Sequence, residues 1–144
     1  MMNKKIDGFK QALEMLQGLD QSAQTNILAE IARRDPEMAI KLKTHLISFE
    51  DLIHLTVDMM RSLLKEIDLE LLGLALKTAT PELVDYVSNM FSTSMRRDIE
   101  EVLKGRPRPL SEVLEAQVKI VEVMNRLQQE GVILIDKDKS DKWV

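Results

Sequence analysis

The chain has 144 residues, enough for one domain with a small accessory unit and for a core that takes up most of its apolar side chains. Hydrophobic residues make up 44% and charged residues 31%, a globular balance, and the net charge of −4 argues against bulk attraction to nucleic acid or anionic lipid. There are no cysteines, which excludes disulfides and thiolate chemistry, and no apolar run approaches the roughly 18 residues of a membrane helix. Phe9, Phe49, Tyr86, Phe91 and Trp143 are the whole aromatic inventory. The core must therefore be Leu, Ile, Val and Met, and platforms for stacking bases are scarce.

The first helix is expected over about Lys5–Leu16, with Ile6, Phe9, Leu13 and Leu16 on one side and Gly18 as its stop. A second carries Ile27, Leu28 and Ile31. Asp35 caps a third that opens at Pro36, where a missing N–H costs nothing, and runs to about Leu46. Three short helices in succession predict an armadillo-like unit over residues 1–47. Such a unit is too small to cover its own faces, so it should leave an apolar groove or stack on a neighbour.

From Leu46 to Leu83 three more short amphipathic helices are expected, each with its own cap. Ser48 stands three residues before Asp51 in capping-box spacing, Asp68 caps the next helix, and Thr80 precedes Pro81. Met60, Leu63, Leu64 and Ile67 follow the spacing of one buried face. The helix from Leu69 to Ala79 is apolar almost all round and belongs in the middle of a bundle, with Lys77 the one charge near its end.

Leu83, Val87, Met90 and Phe91 line the following segment, and Ser92 or Thr93 opens a helix that ends at Gly105. Arg106-Pro107-Arg108-Pro109 is a stiff loop, because neither proline continues a helix and each restricts the residue before it. A long helix runs from Glu112 to about Glu130 and closes at Gly131. Val132–Ile135 is the only β-like run, too isolated for a sheet. The expected fold is all-α: an armadillo-like unit over 1–47, a six-helix bundle over 48–136 and a charged tail over 137–144.

Candidate functional residues gather on the helix from Thr93 to Lys104. At 100° per residue, Met95, Ile99, Val102 and Leu103 face inward. The opposite side carries the rows Arg96–Glu100–Lys104 and Arg97–Glu101, with Asp98 at the flank. One reading is a solvated face of intrahelical ion pairs. Against it, the Arg96–Glu100 and Arg97–Glu101 pairs place the base N-terminal to the acid, the weaker order, and both arginines lie where the helix dipole disfavours them. The effect is a few tenths of a kcal/mol per pair, but its sign opposes selection for stability alone. Elsewhere, His45 and His54 lack a metal-ligand pattern, and Glu50–His54–Asp58 reads as an i, i+4 surface series. No Ser/His/Asp order, phosphate loop or Glu-x-x-His motif occurs, so the reading is non-enzymatic with no cofactor.

Several ordered runs resemble the C-terminal domain family of the flagellar motor switch protein FliG. They are Arg33-Arg34-Asp35-Pro36-Glu37-Met38-Ala39, Phe49-Glu50-Asp51-Leu52, Glu66-Ile67-Asp68, Leu74-Ala75-Leu76-Lys77, Pro107 to Gln117, and Gly131-Val132-Ile133-Leu134-Ile135. The resemblance implies a rotor-side component of the motor switch that transmits torque and rotation direction through a charged helix in contact with the stator. It implies as stator-contact residues Lys77, Arg96, Arg97, Glu100, Glu101 and Arg108, although the family's early arginine falls on Thr93 or Ser94 and its loop arginine on Pro109, one residue past Arg108. Leu46-Ile47-Ser48-Phe49 is similar to the family's M-F-x-F hinge. The implied partners are the MotA-type stator's cytoplasmic loop, other FliG-type subunits and FliM, with neither nucleic acid nor membrane insertion. The implied location is cytoplasmic, peripheral at the flagellar basal body. Only the C-terminal part of the family's architecture is matched, so an excised FliG domain and a short paralogue both stay open. The alternative function is a FliG-like helical adaptor that keeps the fold without a motor role.

Overall fold

The computed structural model describes the backbone of residues 4–135, and the side chains within that span except those of residues 4–7 and 21. Ile6, expected on the inner side of the first helix, and the charged tail with Trp143 therefore lie outside the described residues. All regular structure among the described residues is helical. The helices are α1 (Lys4–Gln17), α2 (Gln21–Arg34), α3 (Pro36–His45), α4 (Val57–Leu64), α5 (Leu69–Ala75), α6 (Pro81–Asn89), α7 (Thr93–Leu103) and α8 (Leu110–Gln129), with 3-10 turns at Phe49–His54 and Leu76–Thr78. The chain divides between Ile47 and Ser48 into two compact units.

In the first unit, local chemistry sets the helix ends. The Asp20 carboxylate accepts from the Ala23 N–H at 2.8 Å, and Asp35 accepts from the Met38 N–H at 3.1 Å with Pro36 in the first helical position. Leu16, Leu42 and Leu46 form the buried centre, against which Phe9, Leu13, Ile27, Leu28, Ile31 and Met38 pack while remaining partly exposed. Met15 and Ile40 stay open to solvent. The Gln17 amide closes the unit: its Nε2 donates to the Ile47 carbonyl at 3.1 Å and its Oε1 accepts from the Ile47 N–H at 3.2 Å.

The second unit is built round α5, which packs against α7 and α8. Asp68 caps it, accepting from the Leu71 N–H at 2.7 Å. Gly73 lets α7 come close: a Cβ there would sit 2.7 Å from the Ile99 carbonyl oxygen and 3.1 Å from the Val102 Cβ. The expected helix to Ala79 stops being α-helical at Ala75 and finishes as a 3-10 turn, because Ala79 must already be extended (ψ 159°) to feed Thr80 and Pro81. Gln117 of α8 takes up the loosened end, its Nε2 donating to the Ala75 carbonyl at 2.9 Å and to the Thr78 hydroxyl at 2.8 Å.

Two other local expectations are corrected. Phe49–His54 is a 3-10 turn, so Glu50, His54 and Asp58 do not form an i, i+4 series. His54 instead lies over Asp51, with Nε2 to Oδ1 at 3.9 Å, and Asp58 belongs to α4, which Thr56 caps through the Met59 N–H. The long helix starts at Leu110 rather than Glu112, directly after Pro109. Its far end turns at Gly131, in the left-handed region at φ 76°, and the Val132 and Ile133 N–H groups return to the Leu127 carbonyl. Those bonds fold the β-like run back onto α8.

Candidate functional site

The α7 helix is held on three sides. The Ser92 hydroxyl caps its start, accepting from the Met95 N–H at 3.3 Å. Ile99 is buried, with Met95, Val102 and Leu103 half-buried around it, and the close approach at Gly73 presses this face onto α5. At the far end the Lys77 ammonium donates to the carbonyls of Leu103 and Arg106, both at 3.2 Å. A cation at the last turn of a helix satisfies carbonyls that have no partner within it and complements the dipole. Lys77 is thus a half-buried clamp on the end of α7.

Arg96 explains the odd position of a base at a helix start. Its Nε donates to the Ser88 carbonyl at 3.0 Å and its Nη2 to the Phe91 carbonyl at 3.3 Å. Those carbonyls belong to the end of α6 and the turn after it. The guanidinium that the α7 dipole disfavours is favourable for α6. The row Arg96–Glu100–Lys104 is therefore incomplete: Glu100 meets Lys104 at 3.8 Å, while Arg96 turns to the backbone. The expected Arg97–Glu101 pair does not form. Both residues are exposed, and neither has an ion-pair partner among the described residues.

Arg108 lies half-buried in the loop before α8, its Nε 2.8 Å from the Glu112 carboxylate. Of the six residues singled out for the site, the structure leaves Arg97 and Glu101 as open charges and Glu100 in a loose surface pair. It engages Lys77, Arg96 and Arg108 with the fold. Sequence reasoning did not assign Gln117 a role, although it fastens α8 to the turn that carries Lys77. Its place at the end of the Pro107–Gln117 run was the available signal.

At the link between the units, Leu46, Ile47 and Phe49 are buried and Ser48 is exposed. Ser48 is tied forward, its N–H donating to Asp51 Oδ2 at 2.9 Å and its hydroxyl to the same oxygen at 3.3 Å. Ile47 is tied backward through Gln17. The Ile47 carbonyl and the Ser48 N–H that these bonds engage are the two polar groups of one peptide.

Residues 14–135 match the family described as the FliG C-terminal domain. The flagellar motor switch protein FliG of Thermotoga maritima is 29% identical over 141 residues, which is 97% of this chain and 42% of the relative. That of Helicobacter pylori is 33% identical over 130 residues, covering 90% of this chain and 38% of the relative. A crystal structure of a FliG fragment from H. pylori superposes with a TM-score of 0.66 at 33% identity, over 85% of this chain and 58% of that one. Full-length FliG from Aquifex aeolicus gives 0.56 at 26% identity, over 86% of this chain and 39% of that one. The chain thus spans well under half the length of the curated relatives it matches. By the extent of the match and the shared helical architecture, it belongs to the FliG C-terminal domain family.

Proposed function

We infer that this chain is a rotor-side component of the flagellar motor switch, passing torque and rotation direction through α7 to and from the stator. The observation that carries the reading is a firmly held helix with open charge on its outer face. Lys77 and Ser92 fix the two ends of α7, while Arg97 and Glu101 stand exposed without ion-pair partners among the described residues. Exposed ion pairs contribute about 0.2–1 kcal/mol each and are screened beyond about 8 Å at physiological salt. Contacts of that kind form and break quickly as a partner moves past. A MotA-type cytoplasmic loop with charges of both signs is the partner this face fits.

The Lys77 and Arg108 charges join this reading as positioning groups, holding the end of α7 and the start of α8. The armadillo-like first unit, with Met15 and Ile40 exposed, is assigned to contact with other FliG-type subunits, and FliM is the further partner. The setting is the cytoplasmic face of the basal body; among the described residues no helix is long and apolar enough to cross a membrane.

The deciding test is motility in a cell whose FliG C-terminal domain is this one. Glu100→Lys with Glu101→Lys should impair rotation severely, and reversing the facing charges on the stator should restore part of it, since attraction depends on the product of the charges. Unchanged motility with a folded variant would leave the adaptor reading in place of the motor one.

A further inference from the structure

The second unit exposes a row of apolar side chains on an otherwise polar helix face, and other helices of the same unit frame an apolar groove. Leu110, Leu114 and Val118 are 61%, 47% and 52% exposed. Each follows the last by four residues, so together they make a ridge about 12 Å long on the outer side of α8. The bundle does not use them: α8 buries Val113, Ala116, Ile120, Met124 and Leu127 instead. Beside the ridge project Glu115 and Glu122, exposed and without ion-pair partners among the described residues.

The groove lies between α4, the end of α6 and the start of α7, with a volume of about 240 Å³. Met60, Leu64, Met90, Phe91 and Met95 line it, with Arg61 as its charged residue. Methionine is flexible and polarisable, so a lining with three of them adapts to an incoming apolar surface. The Arg61 side chain is 74% exposed and reaches Asp58, 92% exposed, at 3.5 Å. Such a pair is weak, and another carboxylate displaces it readily. The groove therefore suits an apolar helix edge with an acid beside it.

We propose that the Leu110–Leu114–Val118 ridge of one copy docks in the methionine-lined groove of a second copy, with Glu115 or Glu122 meeting Arg61. The two matching surfaces are different parts of the chain, so the contact is heterologous and propagates into a ring or filament. Three side chains in one groove fall short of the roughly 1,200 Å² of a stable interface. The contact is weak between free chains and gains strength where neighbours are already held side by side. It needs neither the stator nor the outer face of α7, so it stands or falls apart from the motor reading.

The test is a dilution series of the whole chain with carbon-13-labelled methionine methyls, from millimolar to micromolar. The Met60, Met90 and Met95 signals should shift with concentration, and Leu114→Glu should abolish the shift while the melting temperature stays unchanged. Arg61→Glu alone should weaken association at least several-fold. Mixing it with a Glu115→Arg, Glu122→Arg chain should restore the shift, because the groove of each chain then meets opposite charge on the ridge of the other. Methyl signals that ignore concentration, a shift that survives Leu114→Glu, or no recovery in the charge-swapped mixture would each overturn the proposal.

Discussion

Arg96 and Arg97 stand side by side on α7, yet hydrogen bonds engage the first guanidinium and leave the second in solvent. Arg96→Ala removes two charge-assisted bonds to the end of α6 and should cost about 1.5–3 kcal/mol in a denaturant melt. Arg97→Ala should stay within about 0.5 kcal/mol of the parent. In a motility assay the ranking should reverse, with Arg97→Ala the more selective lesion. Equal destabilisation by the two variants would show that the Arg96 network is not holding α6. Gly73 is as decisive on the apolar side. A methyl group there meets the Ile99 carbonyl at 2.7 Å, backbone that moves only if α7 moves, so Gly73→Ala should cost about 1–3 kcal/mol by overpacking. At this scale the sequence showed which residues carry charge and not where the charge goes. Lys77 finds its acceptors 26 and 29 residues away, and no local spacing encodes that.

Helix boundaries were the most legible feature, because caps are local. Asp35 with Pro36, Asp68, Thr80 with Pro81, and Gly131 act within about one turn of their own positions. The misreadings came where a helix changes its pitch. A period of 3.6 residues aligned Glu50, His54 and Asp58; the 3-10 turn has three residues per turn and brings Asp51 under His54 instead. Glu50 then turns to α6, accepting from the Thr80 hydroxyl at 2.7 Å and the Thr80 N–H at 3.3 Å. Because Thr80 also caps α6, Glu50→Ala should loosen two elements together, with a loss of about 1–3 kcal/mol. Amide exchange in the first turn of α6 should speed up in that variant; unchanged protection there would assign the Glu50 contact no role in holding α6. The inward face of α7 and the exposure of Arg97, Asp98 and Glu101 were read correctly from its period, and the pairing of Arg96 and Arg97 was not. Arg96 leaves the acid a turn later because the end of α6 and the turn after it present the Ser88 and Phe91 carbonyls to it.

At the scale of the whole molecule the chain divides between Ile47 and Ser48 into two compact units. The likeness of Leu46-Ile47-Ser48-Phe49 to the family's hinge implied exchangeable apolar packing, and Leu46, Ile47 and Phe49 are buried. Burial makes their truncation a poor probe, since Phe49→Ala removes a core aromatic at about 3–5 kcal/mol and confounds folding with switching. The hydrogen bonds offer a cleaner one. Gln17 holds the Ile47 N–H and carbonyl, and Asp51 holds the Ser48 N–H, so both polar groups of the peptide joining Ile47 to Ser48 are hydrogen-bonded. Gln17→Leu keeps a side chain of similar size and releases the Ile47 N–H and carbonyl, at a cost of about 1–3 kcal/mol for two neutral bonds. If residues 46–49 act as the hinge, this variant should stay folded, show faster amide exchange at Ile47 and alter the clockwise bias of the motor. Bias equal to the parent, with the faster exchange confirmed, would separate the looseness of this link from direction control and return the hinge residues to a purely structural role.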